Sequence, residues 1–165
     1  WYDGIWQDGI WRSGLWGNGV WHDGFWIEGV WFGGLWKGGM WCDGTWRDGT
    51  WETGRFQGGL WENGTWKEGL WEYGKWQNGT WESGEWKLGQ WEDGIWKTGV
   101  WVSGIWLNGT WENGTWMSGI WWEGTWIDGN WMSGMHPGKE GFAYIQNQQQ
   151  ISDEMQEDFQ IDHEK

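Results

Sequence analysis

The chain has one cysteine, one proline and ten basic residues against 24 acidic ones. Because Cys42 has no second cysteine to pair with, an intrachain disulfide and a cysteine-based zinc site are excluded. The formal net charge of −14 disfavours nucleic acid and anionic lipid as partners, since both require a surface rich in lysine and arginine. No apolar run in this segment approaches the roughly 20 residues of a membrane span, and no basic region followed by an apolar stretch, the pattern of a signal peptide, occurs in it. We therefore expect a soluble protein without nucleic-acid or membrane partners, and leave a virion or extracellular location open.

Glycine and tryptophan, in contrast, are abundant and strictly spaced. Tryptophan falls on every fifth residue from Trp1 to Trp131, and a glycine lies three places after each. This gives 27 pentads of the form W-x-x-G-x, with Phe56 as the only substitute at the first position. A period this strict indicates a repeat architecture, and one large aromatic ring in each pentad supplies the apolar surface for folding. We predict one repeat domain over residues 1–135 and, because the chain begins within the pattern, regard 27 pentads as a lower bound.

Each pentad predicts a turn and a short strand. Asp-Gly, Asn-Gly or Ser-Gly at the third and fourth positions favours a chain reversal, and three residues such as Thr65-Trp66-Lys67 remain between turns. An antiparallel meander is one solution, but strands of odd length need two kinds of turn and hence a ten-residue alternation at the turn positions. No such alternation occurs there, although the second positions from Glu52 to Lys97 alternate acidic residues with basic residues or glutamine. We favour an all-β solenoid and keep the meander as the alternative.

Written as G-x-W-x-x, the unit resembles the pentapeptide-repeat family. That resemblance implies a quadrilateral β-helix with a small inward residue followed two places later by a large one. Glycine plus tryptophan fills roughly 290 Å³, close to the roughly 280 Å³ of the family's alanine plus phenylalanine at native packing density. Four pentads per coil would give nearly seven coils. The expected core includes Trp6, Trp11, Trp61, Trp66, Trp111 and Trp116.

Two weaker likenesses accompany this one. The string G-x-W-x-x-G is similar to part of the MORN repeat, and the composition and period are similar to tryptophan-rich arrays in structural proteins of tailed bacteriophages.

The second and fifth positions of each pentad flank the tryptophan and are expected to point outward. In a coil of twenty residues, one outer column would be almost wholly apolar, and we take it as the candidate interface: Val20, Met40, Leu60, Val100 and Ile120, with Thr80 among them. A coil of fifteen residues would instead align Thr50, Thr65 and Thr80 and dissolve that column. The charged second positions are expected to form a solvated face.

Residues 136–165 leave the pattern and form an acidic, glutamine-rich tail. Ile151, Met155 and Phe159 recur at a spacing of four, which fits one side of a short helix that closes the stack. A disordered tail is the alternative.

The sequence offers no catalytic, metal-binding or cofactor-binding constellation. His22, His136 and His163 are far apart, and the Asp-Gly steps match turns rather than a calcium-binding motif. Our first hypothesis is a non-enzymatic structural or scaffold module that contacts partner proteins or copies of itself. A glycan-binding module with exposed, stacked tryptophans is the second hypothesis. Inhibition of a DNA-binding enzyme by DNA mimicry, implied by the acidic charge and the family resemblance, is the third.

Overall fold

The protein is an all-β parallel solenoid built from very short strands. The computed structural model describes residues 1–138 and 141–145. The strands of the first five coils are β1 (Ile5–Trp6), β2 (Ile10–Trp11), β3 (Leu15–Trp16), β4 (Val20–Trp21), β5 (Phe25–Trp26), β6 (Val30–Trp31), β7 (Leu35–Trp36), β8 (Met40–Trp41), β9 (Thr45–Trp46), β10 (Thr50–Trp51), β11 (Arg55–Phe56), β12 (Leu60–Trp61), β13 (Thr65–Trp66), β14 (Leu70–Trp71) and β15 (Lys75–Trp76). The remaining strands are β16 (Thr80–Trp81), β17 (Glu85–Trp86), β18 (Gln90–Trp91), β19 (Ile95–Trp96), β20 (Val100–Trp101), β21 (Ile105–Trp106), β22 (Thr110–Trp111), β23 (Thr115–Trp116), β24 (Ile120–Trp121), β25 (Thr125–Trp126), β26 (Asn130–Trp131), β27 (Gly134–Gly138) and β28 (Gly141–Ile145).

Every third strand belongs to the same sheet, so three sheets enclose the core. The first sheet runs from β1 to β25, the second from β2 to β26, and the third from β3 to β24 and on to β27 and β28. Trp6 pairs in register with Trp21, fifteen residues later. The all-β repeat solenoid is therefore confirmed, but its coil contains three pentads instead of the four that the family resemblance implied. Nine coils replace the expected seven.

The turn glycines hold the corners of the coil. Every turn glycine from Gly4 to Gly134 has a positive φ, a backbone conformation that residues with a Cβ atom rarely adopt. A Cβ on Gly64 would also meet the carbonyl oxygen of Gly49 in the coil before it, at 2.5 Å. At most of the turns where the residue before the glycine is aspartate or asparagine, its side chain caps the turn, as when Asp43 Oδ1 accepts a hydrogen bond from Gly44 N at 2.7 Å. The Asx-Gly steps are thus explained by turn chemistry.

The core consists of three columns of stacked rings. Along the first column Trp51, Trp66 and Trp81 stack with centroids 4.8 Å apart and planes within 6°. Within a coil, consecutive rings meet edge to face, as Trp66 and Trp71 do at 6.0 Å. The three rings of a coil fill its cross-section, which is the physical reason why a fourth side is not needed. Both arrangements are the favoured geometries of aromatic pairs.

The backbone ladder is as regular as the ring columns. The fifth-position N–H donates to the glycine carbonyl of the preceding coil, and the second-position N–H donates to the tryptophan carbonyl there, as in Thr65 N to Gly49 O at 2.9 Å and Lys67 N to Trp51 O at 2.8 Å. Both outward positions of a pentad are thereby fixed relative to their neighbours one coil away. The outer surface consequently consists of continuous columns of side chains that run from coil to coil.

The last coil ends in a hairpin that the sequence did not predict. β27 continues the third sheet through the pair Ile120 and Met135, then pairs antiparallel with β28. His136 takes the place of the next aromatic residue; it is 3% exposed, and its Nδ1 lies 3.0 Å from Trp121 O. The expected domain boundary after residue 135 falls inside β27. The expected helix of Ile151, Met155 and Phe159 lies outside the described residues.

Candidate interaction surface

The fifteen-residue register distributes the candidate interface residues over three faces. Val20 belongs to the first sheet, Met40 and Val100 to the second, and Leu60 and Ile120 to the third. Val20, for example, pairs with Ile5 and Leu35. The single apolar column expected for a twenty-residue coil is therefore not formed, because its members are not vertical neighbours.

The core tryptophans lie where the pattern placed them. Trp61, Trp66, Trp111 and Trp116 are fully buried, and Trp6 and Trp11 pack against the core at the first coil with partial exposure. Trp126 is also partly exposed, and the most exposed indoles among the described residues are Trp1, at 52%, and Trp122, at 43%. The row of exposed tryptophans that a glycan-binding surface required is consequently missing from this part of the chain.

Most indole N–H groups in the core make no hydrogen bond. Four of them donate to the carbonyl of the residue seventeen places later, as Trp101 Nε1 does to Ser118 O at 3.1 Å. Nineteen others within the described residues are buried without a partner. Ring stacking and burial, rather than hydrogen bonding of the rings, therefore hold the core together.

The first face, defined as the outward residues beside the first sheet, carries two regular columns. The fifth positions align Thr50, Thr65 and Thr80, as a fifteen-residue coil required. The second positions form a column that alternates in charge, here called the charge ladder: Lys37, Glu52, Lys67, Glu82, Lys97 and Glu112. Lys67 Nζ lies 3.8 Å from Glu52 Oε1, and Lys97 Nζ lies 3.7 Å from Glu82 Oε1.

The other two faces hold shorter runs of charge. On the second face Glu72 accepts from Arg55 and lies 3.9 Å from Lys87. On the third face Lys75 lies 2.6 Å from Glu92. These pairs and the ladder lie in the middle coils, and each is at least partly exposed, so each contributes only about 0–1 kcal/mol.

The charge ladder was visible in the sequence as the alternation from Glu52 to Lys97. That alternation has a period of two pentads. Second-position residues an odd number of pentads apart are therefore one acidic and one basic or glutamine, whereas those an even number of pentads apart are of the same kind. With three pentads per coil, Lys67 lies between two glutamates; with four, glutamate would stack on glutamate, as Glu62 on Glu82. Like charges in neighbouring strands are destabilising. The alternation thus contained the information that the coil has an odd number of pentads.

Apolar outward residues concentrate toward the two ends of the rod. Exposed examples in the early coils are Ile10, Phe25, Ile27 and Phe32, and in the late coils Val100, Met117, Trp122, Ile127 and Met132. Between residues 47 and 94 the second and fifth positions are mostly charged, amide or threonine side chains. A groove of about 500 Å³ lies at the first coil, lined by Trp1, Tyr2, Leu15, Gly17 and Phe32.

Titratable groups do not gather at one point of the described chain. No group of three or more histidine, cysteine, aspartate or glutamate side chains there could hold a metal ion. Burial raises the pKa of the Cys42 thiol above its ordinary value, against the lowering effect of Arg55 and with a small raising effect of Asp43. His22 is half-buried on the first face, while His136 lies in the core. No helix in the described part of the chain is long and apolar enough to cross a membrane.

Comparisons with known proteins leave the family open. No protein-family model and no curated protein matches the chain. Among solved structures, a protein assigned as an acetyltransferase from Desulfovibrio desulfuricans G20 shares 7% identity over 87% of this chain, with a TM-score of 0.23. The polySia-specific acetyltransferase NeuO shares 6% identity over 88% of this chain and 84% of its own, with a TM-score of 0.21. The chain spans about a third of the length of the first, at 34%. Neither likeness supports an assignment of activity.

Proposed function

We propose that the chain is a non-enzymatic structural module, a rigid rod whose outward columns contact other proteins or further copies of the same chain. The observation that carries this proposal is the set of three ring columns. Rings stack from coil to coil along the whole rod, as Trp46 on Trp61 and Trp61 on Trp76 do at 4.7 and 4.8 Å. Because every coil repeats the same contacts, no coil provides a hinge.

The separation of each pentad into positions that are structurally constrained and positions that vary supports the same function. The first and fourth positions are held by packing and by positive φ, so variation is confined to the second, third and fifth positions. Those positions differ between the ends and the middle of the rod, which gives it regions of distinct contact chemistry. Polar side chains follow lines along the rod instead of converging in a pocket, as catalysis would need.

Rigidity can be measured as a distance between spin labels. In a Cys42→Ser background, Arg12→Cys and Met132→Cys place two labels in one column of the second face, eight coil spacings apart. At about 4.8 Å per coil the backbone separation is about 38 Å. We expect a narrow distribution near this value in dilute protein mixed with unlabelled chain. A broad distribution extending to much longer distances would contradict the rod.

A further inference from the structure

The charge ladder distinguishes the first face from the other two. Six consecutive coils alternate lysine and glutamate there, so the ladder has no net charge although the chain carries −14. On the second face the corresponding column includes Ile27, Cys42 and Val102, and on the third it includes Phe32 and Leu107. Only the first face of the described rod therefore presents a long, periodic and neutral charge pattern.

Pairing within the chain accounts for only part of the ladder. The four central residues form two ion pairs, Lys67 with Glu52 and Lys97 with Glu82, and all four remain substantially exposed. Lys37 and Glu112, at the two ends, take part in none of the ion pairs of the described residues. Exposed pairs of this length add little to the stability of a fold. The lysine and glutamate side chains of the ladder can therefore form further ion pairs with charged groups of another molecule.

We propose that the first face binds the first face of a second copy, with the two rods antiparallel and the twofold axis between the coils of Lys67 and Glu82. This inference rests on the proposed structural function and names its partner. The twofold axis lies in the interface, parallel to the strands and perpendicular to the two rods. It reverses the order of the coils in the second copy and places each column of one copy opposite the same column of the other. Lys67 then faces Glu82 of the other copy, Glu52 faces Lys97, and Lys37 faces Glu112. Every member of the ladder meets the opposite charge, including Lys37 and Glu112, which form no ion pair among the described residues.

The alternation discriminates between arrangements. In a parallel dimer whose twofold axis runs along the ladder column, each lysine would face the same lysine of its partner. In an antiparallel dimer whose axis passes through a coil, lysine again faces lysine and glutamate faces glutamate. Like-charge juxtaposition disfavours a wrong arrangement. The ladder consequently selects the antiparallel arrangement with the axis between coils.

The neighbouring column of the first face permits close approach. The same symmetry places Thr65 opposite Thr80 and Thr50 opposite Ile95. No aromatic side chain stands in this column over these coils. Small side chains there allow the longer lysine and glutamate side chains to reach across.

The contact is small, so the dimer is weak and reversible. Three outward-facing residues span about 10 Å, and the six coils of the ladder span about 24 Å, which gives a few hundred Å² on each copy. The total is below the roughly 1,200 Å² of stable specific interfaces and corresponds to a weak, transient contact. Because the attraction is electrostatic and exposed, salt weakens it within the Debye length. We expect the dissociation constant to rise about tenfold or more between 0.05 and 0.5 M salt.

Sedimentation velocity over a range of protein concentrations tests the arrangement. Wild type is expected to form a dimer as its concentration rises. Lys67→Glu places glutamate opposite Glu82 twice in each dimer, and Glu82→Lys places lysine opposite Lys67 twice, so each variant alone is expected to remain monomeric. Mixed together, the two variants form a heterodimer in which both positions meet opposite charges. The double variant Lys67→Glu, Glu82→Lys also restores a homodimer.

Lys87→Glu on the second face is the matched control, because it changes the net charge as Lys67→Glu does. It is expected to dimerise like wild type, and tryptophan emission checks that every variant stays folded. A wild type that remains monomeric at all concentrations, a dimer unaffected by Lys67→Glu, or a mixture that fails to associate would overturn the proposal. None of these results contradicts the proposal that the chain is a rigid rod, because that proposal is tested separately by the distance between spin labels in dilute protein.

Discussion

At the scale of single residues, glycine and tryptophan have complementary roles. The turn glycine supplies a positive φ and leaves room for the backbone of the preceding coil, while tryptophan provides nearly all of the buried hydrophobic side chains. Neither works alone, because the corner must be tight for the rings of adjacent coils to stack. The strict period is the consequence of repeating this pair.

Two neighbouring glycines, Gly33 and Gly34, test whether a glycine is required by its backbone conformation. Gly34 has a φ of +110°, and a Cβ there would overlap the carbonyl oxygen of Gly19; Gly33 would have only Gly17 O nearby, at 3.9 Å. We expect Gly34→Ala to lower the free energy of unfolding by about 3 kcal/mol or more, since strain and steric overlap add. Gly33→Ala is expected to change it by less than about 0.5 kcal/mol. Urea unfolding measures both, and equal losses would show that the corner conformation is not what requires glycine.

At the scale of elements, the ring column is the unit that stabilises the fold. A two-residue strand has too few hydrogen bonds to persist alone, and parallel pairing requires it to meet a strand fifteen residues away. Stacking joins those distant strands directly. Phe56 interrupts the second column, where its ring lies 5.7 Å from Trp41 and 4.2 Å from Trp71.

That interruption offers a test in which stability should increase. Phe56→Trp restores an indole at a position whose equivalents are tryptophan one coil before and after, so we expect a gain of about 1 kcal/mol from added buried surface. Trp86→Phe, two coils later in the same column, is the reverse substitution and is expected to cost about 1 to 2 kcal/mol. Thermal and urea unfolding measure both changes. A loss of stability in Phe56→Trp would mean that the local backbone has adapted to the smaller ring.

At the scale of the whole molecule, equivalent pentads make the rod modular. Each coil contacts mainly its two neighbours, so stability is expected to grow with the number of coils. The length of the rod and the positions of its surface columns depend on the number of pentads, while the core depends only on the period.

Deletions of different length test this modularity. Removal of residues 61–75 takes out three pentads and one coil, and we expect a folded rod about 4.8 Å shorter. Removal of residues 61–73 breaks the pentad period: it places glycines such as Gly74 and Gly79 at ring positions and residues such as Gln77 and Glu82 at turn-glycine positions. We therefore expect partial unfolding or a large loss of stability. Small-angle scattering measures the length, and tryptophan emission reports burial. Equal behaviour of the two deletions would contradict the role of the period.

The period of five by itself determined the turn glycines and the ring positions, because every pentad must make the same turn and bury one indole. It favoured the solenoid over the meander, and the parallel pairing of strands fifteen residues apart decided between them. The number of pentads per coil was decided by the tertiary structure, since it depends on how many indoles fill a cross-section edge to face. That number decides which outward residues are neighbours: it dispersed the column of Val20, Met40 and Leu60 and assembled the charge ladder from Lys37 to Glu112. The alternation of charge along the chain pointed to an odd number, but only the stacked coils show that it is three.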